Sequence, residues 1–397
     1  MNIEKFLVSG APDKIYDLPG SVFEYHHVAS DYSRSKMAGI EFVLDLYKSA
    51  YYRHTAHKDM FIENDHPWSD DLMNIYNSEK HCHSAGSAII KIKNSYIQNS
   101  IIYCNNDDKD FVLYESFRFP DRQLKKIISF EKIKNRSTNI DQTGRSYLYI
   151  GSAGSFNYGH WLVDDLPRVK AWSEIKAKLG ISCVILLPSH GPVMDNIRLQ
   201  SMRTLIDKNI KAKFINPDKI VNVSDLYFIT PVSFHPRIKN PYAIHYVRSQ
   251  AQQLDAAKKE PFRKIFVARR PPNSRSIVNF EQLWSFLEKN GFEMIEPEKY
   301  SFTEQVTLFQ EAKIVIGQMG AAMTGTMFCL PATTIIYLAP IGWAEPFYLD
   351  LAALGGQHYN ILSGPIEGDG TPHLSDFTIP IEPLYHRLAY TGYANRN

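Results

Sequence analysis

From about residue 145 the chain alternates apolar strand-like runs with amphipathic helical ones, and few folds accept that order. "SYLYIGS", "HWLVDDLPRVKAWSEIKAKLG", "SCVILLP", "VMDNIRLQSMRTLIDKN" and "AKFIN" form one series. "KIFVARR", "NFEQLWSFLEKNG", "FEMIEP", "FTEQVTLFQEA", "KIVIGQ", "GAAMTGTMFCLP" and "TTIIYLAP" form a second. Strands separated by helix-length segments cannot pair as hairpins, so the alternation predicts parallel sheet covered by helices, in two doubly wound α/β units. The join falls near residues 240–260, around a charged stretch, "AQQLDAAKKEPFR", that reads as helix. The expected boundaries are 1–245, 246–345 and a C-terminal segment 346–397 that packs back across the domains. Before residue 140 the periodicity is weak. There "AGIEFVLDLYKSAYY" has apolar residues at helical 3–4 spacing, while "SAIIKIKNSYIQNSIIYC" and "DFVLYESF" alternate as strands.

A length of 397 residues suits two cores better than one. Hydrophobic residues at 44% and charged residues at 22% are those of an ordinary globular chain, which argues against disorder. The net charge of +2 comes from 44 basic and 42 acidic side chains with no long single-sign block, so no nucleic-acid partner is expected. Four scattered cysteines without a CxxC pair suit a reducing compartment, and the expected location is the cytoplasm. No apolar run reaches the roughly 18–20 residues of a membrane span. Peripheral contact with a membrane stays open, although "LDLYKSAYYRHTAHK" reads more simply as a solvated amphipathic helix.

Three stretches carry candidate chemistry. In "NYGHWLVDDLP", Asn157 and Ser155 are possible helix N-caps, and Pro167 can kink or restart the helix. His160 and Asp164 stand at i and i+4, close enough for a carboxylate to orient an imidazole. Asp165 falls about 100° away on a 3.6-residue period. The plainer reading has Asp164 solvating the helix and Trp161 with Leu162 in the core. In "IVIGQMGAAMTGTMF", a buried strand runs through Gly317 into a turn of small residues at Gly320, Ala321 and Ala322. Backbone N–H groups there can approach a phosphate, or the small residues can serve close packing. In "FVARRPPNSRSIVN", Arg269, Arg270 and Arg275 follow a strand and can bind a diphosphate bidentately, or form a solvated basic loop. "HCHSAG" lets at most two of His81, Cys82 and His83 converge, and no metal site is expected.

At these stretches the chain resembles glycosyltransferase family 61. Asn157, His160, Trp161, Leu162, Asp164, Leu166 and Pro167 match its first motif, and Arg269, Arg275 and Asn279 its second. "FTEQVTLFQEAKIVIG" looks like its Glu-Gln helix and following strand, and "FYLDLAALGGQHY" like a later segment, so the likeness covers about residues 145–360 in order. Met319, Gly320 and Ala321 stand where the family usually has His-Gly-Ala, and Thr324-Gly325 where it has Thr-Asn.

The resemblance implies a GT-B-like α/β fold, with two Rossmann-like domains facing across a cleft and extra N-terminal elements. It implies an inverting, metal-independent glycosyltransferase that needs no cofactor. The partners implied are a nucleotide sugar and a glycan or lipid-linked acceptor in bacterial capsule or lipopolysaccharide synthesis, at the cytoplasm or the inner membrane. Asp164 is then the expected general base, with His160 orienting it or replacing it. Arg269, Arg275, Asn279, Gln318, Gly320, Ala321, Thr324 and Glu304 are expected on the donor side, and Asn157, Trp161 and Asp165 on the acceptor side. The altered glycine turn keeps two other readings in play, a non-catalytic nucleotide-sugar or glycan-binding relative and a sugar-nucleotide epimerase.

Overall fold

The computed structural model describes residues 14–16, 39–53, 58–62, 67–78, 81–106, 109–117, 126–140, 144–234, 238–254, 260–269 and 275–394. They form a mixed α/β protein that divides into two compact units, Met1–Tyr51 with His83–Val247, and Tyr52–Cys82 with Arg248–Asn397. Residues 346–397 cluster with the second unit, as do residues 52–82.

The first unit carries a ten-stranded sheet among its described residues. Its strands are β1 (Lys14–Tyr16), β2 (Ile40–Tyr47), β3 (Ser87–Gln98), β4 (Ile101–Asn106), β5 (Lys109–Leu113), β6 (Thr138–Asn139), β7 (Tyr147–Tyr149), β8 (Val184–Pro188), β9 (Ala212–Ile215) and β10 (Val221–Ile229). The hydrogen-bonded order is β1-β5-β4-β3-β10-β7-β8-β9, with β2 beside β3 and β6 beside β10. Strands β7, β8 and β9 are parallel, as the strand and helix alternation requires, and β10, which follows β9 without an intervening helix and stands in neither series, joins them parallel beside β7. Strand β10 then pairs antiparallel with β3, so the parallel part continues into an antiparallel meander. Ile90, Ile92, Tyr149, Leu186, Leu226 and Phe228 meet in the core of this sheet.

Two sequence expectations change here. Residues 40–47 and 50–53 are strands and not helix. Strand β2 pairs with β3 through register shifts at Phe42/Leu44 and Asp45/Tyr47, and each irregularity breaks the two-residue alternation. An interrupted period of two imitates helical spacing. Among the described residues from 252 to 263 none is helical either. The helix Pro241–Ala251 ends just before them, Gln252–Leu254 form a turn, and residues 255–259 lie outside the described residues.

The second unit is built on a five-stranded, fully parallel sheet: β11 (Arg263–Val267), β12 (Glu293–Ile295), β13 (Ala312–Gln318), β14 (Thr334–Pro340) and β15 (His358–Gly364), in the order β12-β11-β13-β14-β15. Alternate residues of the central strands, Ile314 and Ile316, Ile336 and Leu338, pack with Leu283 and Leu287 of helix Phe280–Lys289 and with Leu384 and Leu388 of helix Ile381–Tyr390. Each such burial contributes about 1.5–3 kcal/mol. Among the described residues, no helix is long and apolar enough to cross a membrane.

Candidate functional site

In the first unit the helical run that follows β7 positions the polar groups. Asn157 caps it as expected, its side chain accepting from the N–H groups of Gly159 at 2.8 Å and His160 at 3.4 Å. The next turn, Trp161–Asp165, widens so that the N–H of Leu166 reaches the carbonyl of Trp161, five residues back. A tighter turn, Leu166–Val169, has Pro167 at its second position, and the regular helix Lys170–Leu179 ends on Gly180 with φ of 70°. The wide turn precedes a proline that has no N–H to give.

Across this turn Nδ1 of His160 lies 3.2 Å from Oδ2 of Asp164, while the hydroxyl of Ser233 donates to Oδ1 of the same carboxylate. The Asp164 side chain is 6% exposed, whereas that of His160 keeps 16%. The imidazole is therefore the outer member of the pair. Asp165 is wholly buried, its carboxylate accepting from Ser155 at 2.8 Å, Ser152 at 3.2 Å and Arg168 at 3.2 Å. Trp161 is also buried, and its indole N–H donates to Ser201 at 2.9 Å. Neither presents surface to a ligand in this structure. Ser155 serves Asp165 and not a helix cap. Removing one partner of a buried pair such as Asp165 and Arg168 costs about 3–5 kcal/mol.

In the second unit the glycine turn sorts into two jobs. A Cβ on Gly317 would lie 2.5 Å from Sδ of Met323, and one on Gly325 would lie 2.1 Å from the ring of Phe309, so both positions are small for packing. Gly320 is different. The atoms nearest to its Cβ position are Nη1 of Arg269 at 3.4 Å and, among others, Nη2 of Arg275 at 4.0 Å. Two guanidinium groups thus converge over this backbone at the carboxyl ends of β11 and β13, where parallel sheets collect ligands. Burial lowers the pKa of each, and the charge of Arg269 lowers that of Arg275 further. No ion-pair partner for either guanidinium stands among the described residues.

Arg275 is held by several contacts. Its φ of 61° is left-handed, a conformation that costs a non-glycine residue about 1–3 kcal/mol and persists where surroundings enforce it. Nε2 of Gln318 donates to its carbonyl, and its guanidinium lies 4.1 Å over the ring of Trp343. The next residues are pinned to residues 376–379: the N–H of Ser276 donates to Asp376 at 2.6 Å. Asn279 gives its amide to the Ile379 carbonyl at 2.8 Å and accepts from the Ile379 N–H at 2.9 Å. Asn279 thereby acts as a clamp behind Arg275. Nε and Nη1 of Arg275 and Oε1 of Gln318 are buried without hydrogen-bond partners, a cost of about 1–3 kcal/mol each.

The remaining donor-side candidates are placed as follows. Ala321 opens, and buried Thr324 lies within, the 3-10 helix Ala321–Phe328. Glu304 is exposed and engaged in a capping box with Ser301, whose hydrogen bonds hold its carboxylate below the usual range. Met319 is wholly buried, with Sδ accepting from the N–H of Glu345 at 3.4 Å. Arg270 lies outside the described residues. Among the described residues no three His, Cys, Asp or Glu side chains gather as metal ligands would. Sequence reasoning did not find Ser233 or Trp343. Ser233 is 69 residues from Asp164 and leaves no local signal. Trp343 follows the carboxyl end of β14, a position that the strand-end rule could have flagged.

No curated protein matches the chain. The family model described as Glycosyltransferase 61 matches residues 158–336, a span that takes in His160, Asp164, Arg269, Arg275 and the Gly320 turn. What this chain is similar to over that segment is glycosyltransferase 61, and the match supports a glycosyltransferase.

Proposed function

We propose that the protein transfers a sugar from a nucleotide-sugar donor to a hydroxyl of a glycan acceptor, with inversion at the anomeric carbon. The observation that carries this reading is the convergence of the Arg269 and Arg275 guanidinium groups, with no carboxylate ion-paired to either, on the open backbone of Gly320. Two partly desolvated cations beside a bare peptide backbone attract an anion, and a diphosphate matches their fork geometry. As the leaving group departs, they take up its growing negative charge, so that charge needs no metal ion. On the acceptor side, the imidazole of His160 is the better proton acceptor than Asp164. The carboxylate already accepts from Ser233 and is the more buried of the two, so its part is to orient the ring and stabilise the imidazolium once it forms.

A GT-B-like architecture belongs to the same proposal. So does the cytoplasmic assembly of bacterial surface polysaccharide on a glycan or lipid-linked acceptor. Isothermal titration of a nucleotide-sugar panel tests the donor half: Arg269→Ala and Arg275→Ala should each weaken binding ~10-fold or more, as loss of a charge-assisted hydrogen bond does. Undiminished affinity in both variants rejects the donor site. His160→Ala should lower acceptor-dependent release of nucleoside diphosphate ~10²-fold or more while donor affinity is retained. Release that proceeds equally well without acceptor rejects transfer.

A further inference from the structure

Gln318 closes β13 beside the two guanidinium groups, and its neighbour fixes which way its amide points. The carbonyl oxygen of Arg275 accepts hydrogen bonds and cannot give one, so Nε2 must face it and Oε1 is the other end. That Oε1 is shut off from water and accepts nothing, in a side chain that is only 5% exposed. Nε and Nη1 of Arg275 are equally buried and donate to nothing. The contact between the end of β13 and the segment after β11 therefore brings a residue with an orphaned acceptor against one with orphaned donors. Buried polar groups are nearly always paired in a working state, which points to a ligand that completes them.

A naked phosphate group does not complete this set. Its oxygens accept from Arg275, and beside the two guanidinium charges they favour the fully ionised form, which has no proton to give Oε1. The missing piece has to be a hydrogen-bond donor carried close to an anion, and the chemistry that supplies it is a hydroxyl on the ribose or on the transferred sugar of a sugar-bearing diphosphate. Met319, next along the turn, does not compete for this role, because its side chain is buried and its sulfur faces the N–H of Glu345.

We infer that Gln318 is a specificity residue of the donor site, whose Oε1 accepts a hydrogen bond from a hydroxyl beside the diphosphate. The site then selects sugar-bearing diphosphates over inorganic pyrophosphate. This rests on the reading of Arg269 and Arg275 as the seat of the diphosphate.

Calorimetry on the full chain tests it with inorganic pyrophosphate, uridine and guanosine 5′-diphosphates, their 2′- and 3′-deoxy forms, UDP-glucose and GDP-mannose. The unmodified protein should bind at least one nucleoside diphosphate or nucleotide sugar more tightly than pyrophosphate. Gln318→Met should weaken that ligand ~10-fold or more and leave pyrophosphate within about twofold, because a site built for a hydroxyl loses most against ligands that carry one. A deoxynucleotide that reproduces the loss on the unmodified protein assigns the hydroxyl to the ribose. A loss confined to the nucleotide sugar assigns it to the sugar.

Equal weakening of pyrophosphate and nucleotide by Gln318→Met overturns the inference and leaves the amide as a prop for the Arg275 carbonyl. Equal affinity of the unmodified protein for pyrophosphate and every sugar-bearing ligand overturns it without recourse to a variant. Separately, Arg275→Ala should weaken pyrophosphate as well. Unchanged pyrophosphate binding in that variant, or no binding of any of these compounds by the unmodified protein, removes the diphosphate seat itself.

Discussion

Single residues carry most of what distinguishes the second unit. Gly325 faces Phe309 so closely that any side chain there forces the ring to move, and the glycine and the phenyl ring form a matched pair. Gly325→Ala should destabilise the fold by about 1–3 kcal/mol in chemical denaturation, the usual cost of overpacking a tight core. Phe309→Leu in the same chain should recover part of it, and an unshifted midpoint for the single variant would dismiss the pairing. Small residues in a strand-to-helix turn suggest either packing or ligand approach, and here the tightly packed Gly317 and Gly325 stand within nine positions of each other, with the guanidinium-facing Gly320 between them. Sequence could not apportion them. What separates Gly320 from Gly317 and Gly325 is which side chains face them, and Arg269 and Phe309 come from other elements.

At the scale of elements, the helix start at residue 157 is the best-read feature of the chain. An Asn before a helical run, a proline ten residues on and a glycine at 180 are local signals, and each acts locally in the structure apart from the widened turn. Asn157→Ala withdraws the acceptor for two N–H groups and should cost ~1 kcal/mol in thermal or urea unfolding. It should also lower turnover, because the His160 N–H is one of the two groups it holds. Stability unchanged within about 0.3 kcal/mol, well under an ordinary cap, would show that the cap contributes nothing. The widened turn was not legible. A 3.6-residue period placed Asp165 on a neighbouring face, but its buried position is set by Ser152, Ser155 and Arg168, and Arg168 in turn donates to the carbonyl of Ile229. Strand β2 escaped for a related reason, since its register shifts answer to a partner strand that begins some forty residues later.

For the molecule as a whole, burial of tyrosine governs the response to alkali. Tyr76, Tyr337, Tyr348 and Tyr359 meet edge-on or tilted in the second unit, with ring centroids of neighbouring pairs 4.9–6.0 Å apart, and burial raises the pKa of each above its ordinary 10. The unfolded chain releases these protons first. Stability should therefore be intact below about pH 10 and fall as pH rises beyond it, with phenolate absorbance from the cluster appearing together with unfolding. Full tyrosinate absorbance in a still-folded protein would contradict the burial. By itself the sequence determined the α/β class, the strands and helices of its two alternating series and the helix cap at Asn157, because periodicity, caps and turns act over a few residues. Only the tertiary structure decided that Asp164 lies behind His160, that Asp165 and Trp161 face the core, and that Arg269 and Arg275 meet the Gly320 turn beside Gln318. Those outcomes depend on contacts between residues far apart in the chain, and no local period records which distant side chain will arrive.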